Sequence, residues 1–250
     1  MSVARCRILL EDHDLVERLT GQQRSEAVRD CAARVLDVPA GAWSPAAIAP
    51  RVSSGIGLLV LTGLLRRRVG VDGRYGSELL GAGDLLRPWQ REDNAVTLPR
   101  ARGWQVLHPC RLAVLDRSFA ARAGRYPEVT TALFARAVRR SRHLAVNMAI
   151  VHQPRVDVRL HMLFWELADR WGTVHGEFVR LPIRLTHAVL AELVAAQRST
   201  VTTALNELAA QEKVRWAKEY WLLAGDPPLE LGELAQPTTV PGRRPPPRLA

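Results

Sequence analysis

No stretch of the 250-residue sequence reaches the roughly 18 consecutive apolar residues that a membrane-spanning helix needs. The opening MSVARCRILLEDHDL turns acidic before an apolar run of signal-peptide length can form, so a cytoplasmic chain with no membrane attachment is expected. Cysteine is scarce: Cys6, Cys31 and Cys110 are widely spaced and include no CxxC pair. That fits neither a disulfide framework nor a zinc or iron–sulfur site, and the expectation is buried, reduced thiols. The seven histidines include no helical metal pair, since His152 and His161 stand nine apart and His175 and His187 are isolated. Nothing groups a nucleophile, a base and an orienting residue, so no metal, no cofactor and no enzymatic activity are expected.

Lysine occurs only at Lys213 and Lys218, and the formal charge of +10 is therefore almost all arginine. A basic balance points to an anionic partner such as nucleic acid. The distribution is uneven: residues 1–154 carry 23 basic and 14 acidic side chains, the rest 12 and 11. Net charge by itself does not locate a DNA site.

From about Gly55 to Phe119, short apolar runs broken by DG and GAGD turn signals predict β-strands and hairpins, and WQVLHPCRLAVL two strands more. A small antiparallel barrel or jelly roll is the expected architecture. Residues 15–36 are expected to form a helix packed on it. Pro127 to Val151 contains no further Pro and no Gly and predicts one long helix. Its stripe of Val129, Leu133, Ala137, Leu144, Met148 and Val151, interrupted at Arg140 and Ser141, is suited either to a second copy of the chain or to the barrel of the same chain. Pro154 stops or kinks that helix. Val156, Leu160, Leu163, Phe164, Leu167 and Trp171 then form a core-facing stripe closed by Gly172 as C-cap. Beyond Gly225 the chain is rich in Pro and Arg and is expected to be a disordered tail.

In LTHAVLAELVAAQRSTVTTALNELAAQEKV, Thr186 is a good N-cap, and AAQ gives a short turn between two helices. Val201, Leu205 and Leu208 at i, i+4 and i+7 bury together, which turns Ser199, Thr203 and Asn206 outward with Arg198 beside them. Three threonines in four positions, Thr200, Thr202 and Thr203, do not serve helix stability, because a branched Cβ restricts χ1. Short hydroxyls and methyls plus a long Arg suit base edges in a DNA major groove. An ordinary helical hairpin with a polar face is the plainer alternative. EKVRWAKEYWLLAGD follows as a β-hairpin, completing a winged helix.

The order barrel, long helix, hinge, helix, helix-turn-helix and wing resembles the Crp/Fnr family of bacterial transcription regulators, over roughly Val35 to Asp226. Thr186, Arg198, Thr200, Val201, Leu205 and Leu208 meet that family's DNA-binding signature. The resemblance implies an α+β chain: N-terminal helices and an antiparallel sensor β-barrel or jelly roll (1–126), a dimerisation helix (127–153), a winged helix-turn-helix (154–225) and a tail (226–250). It implies base reading by Arg198, Ser199 and Thr203, and phosphate contacts by Thr186, His187, Gln197 and Thr200. Implied partners are double-stranded DNA, a second copy and RNA polymerase. Ser199, Thr203 and Gln197 depart from the residues common in the family, so the operator should differ.

Cyclic AMP sensors of that family use a Gly-Glu-Leu turn and a later Arg followed by Ser or Thr. Here the turn reads Arg87, Pro88, Trp89, and proline offers neither an N–H nor a carboxylate. Ala101 follows Arg100, with Arg102 an equal candidate, and Leu144 and Ala145 stand at the depth where those sensors place a Thr-Ser pair. Cyclic AMP binding in the usual manner is not expected. Arg87, Trp89, Arg100 and Arg102 remain as either a site for another anionic effector or a solvated basic loop. The competing reading of the whole chain is an effector-sensing or partner-binding module whose winged helix does not read DNA.

Overall fold

The computed structural model describes residues 5–48, 54–88 and 101–228, with the backbone alone at Ala47, Ala101 and Arg102. The chain divides into two compact units, Met1–Leu144 and Ala145–Ala250.

Among the described residues the first unit is built on seven antiparallel strands: β1 (Arg5–Arg7), β2 (Ala32–Val38), β3 (Gly41–Trp43), β4 (Gly57–Val71), β5 (Arg74–Gly81), β6 (Leu85–Leu86) and β7 (Ala101–Leu115). Pairing runs β1-β2-β7-β4-β5, with β3 added to β7 and β6 to β4. Among the described residues β5 does not pair back with β1, so the arrangement is jelly-roll-like, not a closed barrel. Helices α1 (Ile8–Glu11), α2 (Gly21–Asp30) and α3 (Arg117–Ala123) accompany the sheet.

The period-two geometry of a strand explains why runs such as GLLVL and LAVL are apolar at every position. Leu59, Ala113 and Leu115 face a core shared with Ile8, Leu9, Leu15 and Phe119. Their neighbours Leu58, Val60, Leu112 and Val114 face a second core with Leu80 and Leu86. A sheet buried on both faces reads as a continuous hydrophobic run. The same alternation corrects the expected helix over 15–36. The helix covers only Gly21–Asp30, after a separate 3-10 turn at His13–Val16, and Ala32–Val38 is a strand whose Ala33 and Val35 join the first core and whose Leu36 and Val38 join the second.

WQVLHPCRLAVL is likewise one strand, not two. Pro109 lies between the residues of β7 paired with β3 and those paired with β2, and opposite a register shift in β4. The missing N–H therefore falls at a bulge. Gly63 crosses there with φ +94°, and a Cβ on it would stand 2.3 Å from the Pro109 carbonyl oxygen.

The long helix, α4, runs Pro127–Val151 as expected, but its apolar positions divide between two faces. Val129 and Leu133 are buried in the first core of the N-terminal unit. Arg136 and Arg140 continue that face, held by carboxylates: Arg136 reaches Asp12 and Asp14 at 2.7 and 2.9 Å. Phe134, Ala137, Ser141, Leu144 and Met148 lie on an exposed face.

The second unit contains α5 (Val156–Trp171), β8 (Thr173–His175), β9 (Phe178–Leu181), α6 (His187–Leu193), α7 (Arg198–Ala210), β10 (Val214–Ala217) and β11 (Tyr220–Ala224). Leu160, Leu163, Phe164 and Leu167 of α5 are buried as expected, together with Met162, while Val156 and Trp171 are half-buried. The Phe164 ring meets Trp221 of the wing at 4.7 Å. Gly172 caps α5, where a Cβ would lie 2.5 Å from the Ala168 carbonyl oxygen. The β8–β9 hairpin, turning at Gly176 (φ +60°), enlarges the expected two-stranded wing to a four-stranded sheet, β10-β11-β9-β8. Among the described residues no helix is long and apolar enough to cross a membrane.

Candidate nucleic-acid interface

Helix α6 starts at Thr186, whose hydroxyl accepts from the Val189 N–H at 3.3 Å, the N-cap its sequence position predicts. It ends in a Schellman-type turn: the Ala196 N–H returns to the Ala191 carbonyl at 2.9 Å, and Ala195 takes φ +51°. That left-handed position is normally glycine. Gln197 then stands at the N-cap of α7 without a side-chain capping bond, so its amide is available to an outside partner.

Val201, Ala204, Leu205 and Leu208 are buried, which fixes the rotation of α7. On the opposite face Ser199, Thr203 and Asn206 are exposed, and Arg198 and Thr200 open to solvent at its N-terminal end. Of these hydroxyls, that of Thr203 leans back on the Ser199 carbonyl at 3.4 Å. Among the described residues, Arg198 makes no side-chain hydrogen bond or ion pair. The structure thus gathers Gln197, Arg198, Ser199, Thr200 and Thr203 on one exposed end of one helix, with Thr186 and His187 at the start of the other.

Thr202 was not among the expected site residues, and it links the two helices. Its hydroxyl donates to the Arg198 carbonyl at 3.1 Å and faces His187 Nδ1 at 2.9 Å. With the hydroxyl proton committed to the carbonyl, Nδ1–H is the donor to Oγ1, and Nε2 is the nitrogen left for another partner. Spacing alone does not reveal this pairing, because the two residues lie on different helices. The wing's tip is formed by Lys218 (φ +59°) and Glu219, and Lys213 precedes β10, so both lysines of the chain flank this hairpin.

The expected effector residues are not gathered into a site by what is described. Arg87 is exposed beyond β6, and Trp89 and Arg100 lie outside the described residues. Arg102 is described as backbone paired opposite Val69. The polar group that sequence reasoning overlooked is Glu78, 8% exposed on the same face as Leu80. Arg140 of α4 grips both its carboxylate oxygens at 2.6 and 2.8 Å, and Arg67 stands at 3.7 Å. Burial opposes the charge on Arg140, but the hydrogen bonds and charge of Glu78 outweigh it and raise the guanidinium pKa.

Residues 158–224 match the Crp-like helix-turn-helix domain. Over 140 residues the chain is 29% identical to the CRP-like cAMP-activated global transcriptional regulator of Mycobacterium tuberculosis, covering 56% of this chain. The match spans 58% of that relative's length. A CooA mutant from Carboxydothermus hydrogenoformans superposes with TM-score 0.62 at 17% identity, covering 88% of this chain and 95% of that one. FixK2 from Bradyrhizobium japonicum gives 0.57 at 16% identity, covering 81% and 96%. At these identities the two structures speak for the fold. Residues 158–224 are thus similar to the Crp-like helix-turn-helix domain, and the likeness to CRP-like regulators rests on that segment and the 140-residue match.

Proposed function

We propose that the chain is a sequence-specific DNA-binding transcription regulator that works as a homodimer on a pseudo-palindromic operator. The observation that carries this reading is the N-terminal end of α7, where Arg198, Ser199, Thr200 and Thr203 are exposed on a helix whose opposite face is locked into a core. Laid in a major groove, Arg198 reaches a guanine while Ser199 and the Thr203 methyl contact neighbouring base edges. Thr186, His187 through Nε2, Gln197 and Thr200 contact the flanking phosphates.

The homodimer is supported by the exposed face of α4. Phe134, Ala137, Ser141, Leu144, Met148 and Val151 fall in unbroken 3-4 steps, the a and d positions of a heptad repeat, and Phe134 and Met148 are 70% and 65% exposed. Pairing two such helices covers them, and a two-fold dimer reads half-sites about 34 Å apart. Pro88 and the internally gripped Glu78 support a regulator that does not follow cyclic AMP as the mycobacterial relative's name describes.

The test is fluorescence anisotropy with DNA from the gene's own upstream region, at two salt concentrations, with and without cyclic AMP. Selective, salt-sensitive binding indifferent to the nucleotide is expected, since phosphate contacts release counterions. Absence of selective binding under every condition would favour a winged helix that contacts protein instead.

A further inference from the structure

Arg159 does not belong to the exposed end of α7, yet its guanidinium lies between the two segments whose relation matters most for presenting that helix. It sits in the first turn of α5, half-buried. Nε donates to the carbonyl of Gln153, in the segment that leaves α4, just before Pro154. Nη1 donates to the carbonyls of Val194 and Ala195 at 3.0 and 3.2 Å. Those two carbonyls belong to the turn between α6 and α7, and among the described residues no backbone N–H donates to either of them. A carbonyl left unpaired near a helix end carries a desolvation cost, so the turn's geometry and the guanidinium's position are mutually dependent.

We infer that Arg159 is a positioning residue for DNA recognition: one planar cation ties the hinge at Gln153–Pro154 to the turn that launches α7. This rests on the proposal that α7 reads DNA. Three features make the link directional. Helix α7 begins at Arg198, three residues after Ala195, so the path of the turn decides where the base-reading side chains start. Ala195 holds a left-handed conformation without being glycine, which ties the turn to one backbone path that outside contacts must support. Nε and Nη1 are fixed in one plane, so moving the Gln153 carbonyl disturbs the donor that serves the turn. Lysine carries the same charge but a single nitrogen on a flexible stem, and cannot hold both sides in that geometry.

The test uses full-length Arg159→Lys, with Arg159→Gln as a second variant. Operator affinity is measured across a salt series alongside affinity for unrelated DNA, and amide hydrogen exchange is followed over residues 152–156 and 194–200. For folded Arg159→Lys the expectation is at least a tenfold loss of operator affinity. Affinity for unrelated DNA and the salt slope should stay as in the wild type, and exchange should quicken in both segments. A lost phosphate contact would instead lower the salt slope by about one unit, and that result overturns the inference. It is equally overturned by wild-type operator affinity with unchanged exchange, or by failure of both variants to fold, which would make Arg159 a support of the core. If the wild-type protein itself binds no DNA selectively, the DNA reading fails on its own, and the exchange of the two segments alone decides whether Arg159 couples them.

Discussion

In the N-terminal unit several arginines are held by groups of their own unit: Arg140 chelates Glu78, Arg136 bridges Asp12 and Asp14, Arg111 chelates Glu11 at the surface, and Arg122 ties together the carbonyls of Asp30 and Ala32. In the helix-turn-helix, Arg198 stands exposed and, among the described residues, has no side-chain hydrogen bond or ion pair. The unit with the larger positive excess thus commits much of it to its own architecture, whereas the nearly neutral unit presents the candidate DNA surface. What marks an interface is a polar side chain held outward by a well-packed opposite face, and the net charge of a segment misses it.

Breaking the inward pattern should have the largest effect. Arg140→Met leaves Glu78 buried without its main partner, which costs about 3–5 kcal/mol in comparable pairs. Replacing both, Glu78→Leu with Arg140→Met, should recover most of that loss, because the desolvation of two charges is also relieved. Cys6, Cys31 and Cys110 all lie in the N-terminal unit, and burial pushes each thiol up to about 11. Thiol labelling at pH 8 in a urea series therefore reports opening of this unit alone; equal protection in wild type and Arg140→Met would contradict the assigned role. The same thiols make the unit less stable as pH rises from the ordinary thiol value of 9.0 toward about 11, since the unfolded chain releases protons that the folded one retains.

Next in size is the exposed face of α4. Phe134→Ser should weaken self-association by about 1.5–3 kcal/mol per protomer, the usual worth of burying a large apolar side chain, and leave urea stability nearly unchanged. Sedimentation equilibrium separates the two effects, and an unaltered dimer would remove Phe134 from the seam. Opposite behaviour at Arg140 and Phe134, six residues apart on one helix, is the sharpest form of the comparison.

Both long-range features were hard to see in the sequence, and for the same reason. Val129 and Leu133 belong with Arg136 and Arg140 on one face, but a reading by hydrophobicity groups them with Leu144 and Met148 instead. The carboxylates that make buried arginines tolerable, at Asp12, Asp14 and Glu78, lie 62 to 124 residues away along the chain. Residues 32–36 read as helix in the sequence because their partner strand is some 75 residues distant, and only that pairing shows that both faces are buried. The extent of α4, the Thr186 cap and the inward positions Val201, Leu205 and Leu208 were legible, because 3.6-residue periodicity and capping are local. Thr202 and Arg159 were not, since each works through a group on another element.

On the outward side of the comparison, Arg198→Ala should cost about 1–3 kcal/mol at the operator and relax preference at one base position, with folding untouched. Urea stability and selective binding measured on the same variant decide it. A loss of stability would mean that Arg198 is held by its own chain after all, and unchanged selectivity would remove it from base reading.

The smallest expected effect falls on the turn between the two helices. An L-residue in the left-handed region costs roughly 1–2 kcal/mol, and glycine avoids it at a lesser entropic cost. Ala195, at φ +51°, should therefore be improved by Ala195→Gly, raising the stability of the C-terminal unit by about 1 kcal/mol. Tryptophan fluorescence can follow this, because Trp165, Trp171, Trp216 and Trp221 all belong to that unit. If stability rises while operator affinity falls, the strained alanine serves the presentation of α7, held in place by the Arg159 contact at its carbonyl. If both rise together, the alanine is a tolerated imperfection, and the direction of α7 is set by its buried face alone.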